Sequence, residues 1–138
     1  MKPRRLYVLG ILAAIALGLT SRYVPLGFRF WDLDLGDIVS GTAAYFLLAC
    51  FFPRASFVRK TIYATIFCVA VECFKLTGIP LAVRHIAPLR WLLGTSFSLH
   101  NIPLYILGIG GGAWVDWKGP QHRLAEGNSS QPVLALRR

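Results

Sequence analysis

A carboxylate late in an apolar stretch is the residue of this chain with the most chemical meaning. Glu72 stands in Thr65-Ile-Phe-Cys-Val-Ala-Val-Glu72-Cys-Phe-Lys75, where an acid surrounded by hydrophobic neighbours needs either a partner or a function. Lys75, three residues on, shares its helix face, so a local ion pair with the lysine stem reaching outward is one reading. A pair between helices, or a site that handles a ligand or a proton, are the others.

Further polar residues fall at the ends of apolar stretches, where alternating helices would bring them to the level of Glu72. Asp37 opens one such stretch, Arg84, His85 and Arg90 lie in a long connection, and Ser98, His100 and Asn101 open the last one. Two arginines suit the bidentate recognition of phosphate, while a carboxylate and an amide can orient them or accept hydrogen bonds from an amine or sugar. The candidate ligand-binding set is therefore Glu72, Asp37, Arg84, Asn101, Lys75, Arg90 and His100. Each has a plainer role. Asp37 can complement the N-terminal dipole of its own helix, and Ser98 is expected to cap the last helix with Pro103 in its first turns.

Other chemistries lack their pattern. His85 and His100 have no helical spacing with one another, and Cys50, Cys68 and Cys73 lack paired spacing, so no metal or cofactor is expected. A Cys73 nucleophile would need an environment that lowers its pKa, and apolar surroundings do the reverse. The run Gly108-Ile-Gly-Gly-Gly112 lacks the Lys and Ser or Thr of a phosphate loop. No catalytic order emerges, which predicts a non-enzymatic protein.

The elements that must hold these residues are apolar helices. The 138 residues are 55% hydrophobic with a mean hydropathy of +0.54, too apolar for an ordinary soluble domain of that size. Apolar runs cover about 6–20, 38–52, 58–74 and 102–115. Each must recruit its flanks to cross a hydrocarbon core that takes roughly 20 residues. The reading is all-α: a polytopic membrane protein with four transmembrane helices in a small bundle, at about 5–24, 36–52, 57–76 and 98–116, followed by a disordered cytoplasmic tail over 118–138. A signal-peptide-like start is read as an uncleaved first span, because no small-x-small site follows Thr20.

Charge sets the orientation. Fifteen Lys and Arg against six Asp and Glu sit at the ends of apolar runs and not along one polar face, which disfavours a nucleic-acid partner. With the N-terminus inside, the cytoplasmic segments hold ten cations: Lys2, Arg4, Arg5, Arg54, Arg59, Lys60, Lys118, Arg123, Arg137 and Arg138. The outer segments hold Arg22, Arg29, Lys75, Arg84 and Arg90, so both termini are predicted cytoplasmic. Trp31 and Trp91 fit an outer aromatic belt, Trp114 and Trp117 an inner one. Only Glu72 is read as a membrane acid, which weighs against a small-solute or ion transporter, the alternative function. Gly10, Ala14 and Gly18, Ser40, Gly41 and Ala44, and Gly108 and Gly112 offer close helix packing within the chain, or a homo-oligomer through the same faces.

The residues Leu35-Gly-Asp37, Phe51-Phe-Pro-Arg54, Val71-Glu72-Cys-Phe-Lys75, Arg84 and Leu92 through Gly108 resemble the bacterial membrane family DUF2809, a domain of unknown function, over about 5–117. That family is similar in turn to VanZ-like proteins, which include a teicoplanin-resistance factor. The resemblance implies a helical bundle in the bacterial cytoplasmic membrane and no established reaction. Where the family pattern carries a glutamine and an aspartate, this chain has Lys75 and Asn101, which argues against a site of two carboxylates. The functional expectation is an outward-facing polar pocket around Glu72, Asp37, Arg84 and Asn101 that binds a membrane lipid or lipid-linked head group. A structural or assembly subunit of a membrane complex is a third reading.

Overall fold

A computed structural model describes residues 3–82, 85–86 and 97–119. The described residues form helices and no strand: α1 (Pro3–Tyr23), a π-helical turn (Phe30–Asp34) that runs directly into α2 (Leu35–Phe51), α3 (Phe57–Lys75), the one-turn α4 (Ile79–Ala82) and α5 (Asn101–Lys118). Arg84, Arg90, Trp91 and residues 120–138 lie outside the described part, and with them most of the expected tail.

Local chemistry sets the boundaries. Pro53 ends α2, since proline cannot donate the next helical hydrogen bond. Ser56 then caps α3 by accepting from the Arg59 N–H at 3.4 Å. Between α1 and the π-helical turn, Gly27 takes φ +81° and the Asp32 carboxylate accepts from the N–H groups of Leu26 and Gly27 at 3.0 and 3.1 Å. The Trp31 indole donates to the Val24 carbonyl at 2.9 Å, so this connection is folded on itself. The expected start of the last helix at Ser98 is corrected. Asn101 is its first residue, and its N–H donates to the Ser98 carbonyl in a tight turn at 3.1 Å, with no side chain capping the helix.

α2 is the central element, packed against α1, α3 and α5, and α5 also lies along α3. The closest approach is between α2 and α5. A Cβ added at Gly108 would overlap the Ile38 carbonyl oxygen, and one at Gly41 would overlap the Tyr105 carbonyl oxygen. The hydroxyl of Thr42 donates across this crossing to the Gly108 carbonyl at 2.8 Å. Gly112 lies against the Tyr45 ring and Gly10 against the Phe46 ring, with 3.0 and 2.6 Å to an added Cβ. The glycines thus serve contacts within the chain, where backbone proximity replaces the hydrophobic force. Gly110 and Gly111 face open space.

Around a hydrophobic core, large apolar side chains face outward and four charged ones face inward. Leu9, Leu12, Ile66 and Leu107 are more than half exposed, whereas Lys60, Glu72, Lys75 and Asp116 are buried. Among the described residues two helices are long and apolar enough to cross a membrane: Arg4–Tyr23, with mean hydropathy 1.6, and Phe30–Phe51, with 1.3. α3 and α5, of 19 and 18 residues, turn Lys60, Glu72, Lys75 and Asp116 inward and leave Arg59 and Lys118 exposed at their ends.

Candidate functional site

Glu72 is fully buried on α3, and both of its oxygens are engaged. Lys75 Nζ donates to Oε2 at 2.5 Å, the Tyr105 hydroxyl of α5 donates to Oε2 at 3.1 Å, and the Ser98 backbone N–H donates to Oε1 at 2.7 Å. Lys75 Nζ also reaches the Tyr105 hydroxyl oxygen at 3.3 Å. The i,i+3 pair therefore forms, but it points into the bundle: the Lys75 side chain is 4% exposed, and the outward-reaching lysine is corrected. The correction has a plain reason. A fully buried carboxylate needs a cation to neutralise it and donors for its lone pairs, and Lys75 and Tyr105 supply both.

Asp37, one turn into α2, is half-buried and lies within electrostatic range of Lys75, Glu72, Arg22 and Asp34. Among the described residues it has no hydrogen-bond or ion-pair partner. Asn101, at the first turn of α5, adjoins the Tyr105 hydroxyl. His100 turns elsewhere, with its Nε2 3.3 Å from Asp34 Oδ1 on the π-helical turn in a largely exposed pair. His85 is exposed. Glu72, Lys75, Asp37 and Asn101 thus converge, His100 stands at the rim, and Arg84 and Arg90 are not described. Among the described residues no three His, Cys, Asp or Glu side chains gather as metal ligands.

A second polar cluster lies at the opposite end of the bundle, and the sequence reading missed it. The Asp116 carboxylate of α5 accepts from the Tyr7 hydroxyl of α1 at Oδ1 (2.8 Å). At Oδ2 it accepts from the Tyr45 hydroxyl of α2 (2.8 Å) and from Lys60 Nζ of α3 (2.9 Å). Lys60 Nζ also donates to the Tyr7 hydroxyl oxygen at 2.9 Å. One carboxylate so joins four helices. Two sequence readings are corrected by it: Glu72 is not the only buried acid, and Lys60 is not a free cytoplasmic cation. Among the described residues the exposed cations are Arg4, Arg5, Arg54, Arg59 and Lys118 at this end and Arg22 and Arg29 at the Glu72 end.

Among the described residues a shallow groove between α3 and α5, lined by Cys68, Tyr105, Ile106 and Ile109 among others, has no room for a water molecule. No buried side-chain nitrogen or oxygen among them lacks a hydrogen-bond partner.

Comparison with known proteins adds a family. A family model described as "Protein of unknown function (DUF2809)" matches residues 28–109, which takes in Asp37, Glu72, Lys75, Asn101 and Tyr105. No curated protein and no solved structure matches the chain.

Proposed function

The chain belongs to the DUF2809 family, and from that premise we propose that it is a non-enzymatic four-span protein of a bacterial cytoplasmic membrane. Both termini face the cytoplasm, and the outward cluster around Glu72 binds the head group of a lipid or lipid-linked molecule. Outward-facing leucines and isoleucines with inward-facing charges support the lipid setting, because only lipid is as apolar as that surface.

Asp37 carries the ligand reading. Glu72 has both oxygens hydrogen-bonded and a lysine paired to it, whereas Asp37 is half-buried beside it with no hydrogen-bond or ion-pair partner among the described residues. A carboxylate so placed has room to receive an amine or a hydroxyl donor. Asn101 offers an amide next to it, and Arg84 and Arg90 supply the phosphate-binding chemistry. A head group with an amine or sugar hydroxyl beside a phosphate fits this set.

Native mass spectrometry on protein extracted in mild detergent tests the reading. A co-purifying amphiphile is expected, and Asp37→Asn should release it without lowering the thermal midpoint. Absence of any bound amphiphile, or its retention by Asp37→Asn, refutes the head-group site. A purely structural bundle is the second reading, favoured by the complete hydrogen bonding of every buried polar atom described, and it predicts that bare outcome. Topology has its own test. A phosphatase reporter active only outside the cytoplasm should work after Gly36 and be silent after Phe57, and activity at the C-terminus overturns four spans.

A further inference from the structure

The end of the bundle that holds Asp116 differs sharply in charge from the end that holds Glu72. At the Asp116 end the described residues carry six cations, Arg4, Arg5, Arg54, Arg59, Lys60 and Lys118, and Asp116 as the sole carboxylate. At the Glu72 end they carry three cations, Arg22, Arg29 and Lys75, and four carboxylates, Asp32, Asp34, Asp37 and Glu72. Asp116 is already neutralised by Lys60 inside the bundle. Arg4, Arg5, Arg54, Arg59 and Lys118 are therefore exposed with no acid in salt-bridge range among the described residues.

These five cations share one level. Tyr7, Tyr45, Lys60 and Asp116 tie together the helix ends that bear them, and Gly119 packs within 3.5 Å of Leu6 when given a Cβ. Exposed aromatic rings stand at the same level: Phe52 and Phe57 flank the α2–α3 turn, and Trp114 lies under the Lys118 ammonium at 4.3 Å from its ring centre. Cations beside exposed aromatic rings, Lys118 over the amphipathic Trp114 among them, match the depth at which lipid phosphates lie above the acyl boundary.

We propose that this cationic rim, formed by the α1 N-terminus, the α2–α3 turn and the α5 C-terminus, is a binding surface for anionic phospholipid head groups. It rests on the membrane reading above but not on the Asp37 site, which lies at the other end. The internal Asp116–Lys60 pair matters to it, because it removes from the rim the only carboxylate among the described residues there that could quench the arginines. Phosphate is the complementary group, and arginine's planar fork binds it bidentately.

The test uses the full chain in nanodiscs of mixed phosphatidylglycerol and phosphatidylethanolamine, with the lipids carried into the gas phase counted by native mass spectrometry. Enrichment of phosphatidylglycerol is expected, weakening at high salt as surface electrostatics are screened. Arg54→Gln with Arg59→Gln should reduce the enrichment by on the order of fivefold per arginine, while Arg22→Gln with Arg29→Gln leaves it intact. No enrichment in the inserted wild type, equal loss in both double variants, or no loss in Arg54→Gln/Arg59→Gln each overturns the rim. Failure of the chain to remain in carbonate-washed membranes overturns the membrane reading, and the rim with it.

Discussion

The two polar clusters use the same three residue types, one acid, one lysine and tyrosine, and organise them differently. Asp116 is held by Tyr7, Tyr45 and Lys60, which come from three other helices and lie 109, 71 and 56 residues away in the chain. Glu72 is held by a lysine on its own helix, one tyrosine and a backbone N–H just before α5. The first arrangement can exist only when all four helices are in place, so its role is to assemble the bundle. The second is half local and has the partnerless Asp37 beside it. On the function proposed above, a polar cluster closed on all sides is architecture, and one with an open carboxylate next to it is where a ligand would enter.

The comparison breaks most visibly at Asp116. Asp116→Asn leaves Lys60 buried without a counter-charge, and the expected loss is about 3–5 kcal/mol, read as a lowered midpoint in thermal or SDS unfolding. Replacing the pair together, Lys60→Met with Asp116→Leu, should recover most of that loss, since two apolar groups of similar size leave no orphaned charge. Recovery would confirm that the pair specifies packing more than it adds stability. A milder effect is expected from Gly108→Ala, whose methyl must push the Ile38 carbonyl away, at about 1–3 kcal/mol. Tyr45→Phe removes one hydrogen bond to a charged acceptor and should cost about 1.5–3 kcal/mol if Lys60 and Tyr7 do not compensate, less if they do. The smallest change in stability belongs to Asp37→Asn, within about 0.5 kcal/mol, as expected of a side chain with no internal partner to lose. A large loss there would mean that Asp37 is structural, and the distinction between the two ends would fall.

The residues explain what could be seen without coordinates. Glu72 and Lys75 were legible because helical spacing alone brings them together. Gly41 and Gly108 were legible as packing positions because small residues in apolar helices have few other uses. Asp116 was not, for a physical reason: it stands at the edge of its span between Trp114 and Lys118, where a charge needs no explanation, and its partners are joined to it only by tertiary structure. The usable signal was in Tyr7 and Tyr45, whose hydroxyls lie in otherwise apolar helices and need acceptors. The bond between the Ser98 N–H and Glu72 was hidden likewise, because it joins residues 26 apart that no local rule brings together.

The bare crossing of α2 and α5 makes a fulcrum. With carbonyl oxygens lodged against Gly41 and Gly108 there is no side chain there to compress, so the two helices can tilt about that point more easily than they can part. Tyr105 lies within the crossing itself, its backbone against Gly41, whereas Asp116 lies eight residues beyond Gly108, about 12 Å along α5. A tilt about the crossing would therefore move the helix ends around Asp116 more than it moves Tyr105.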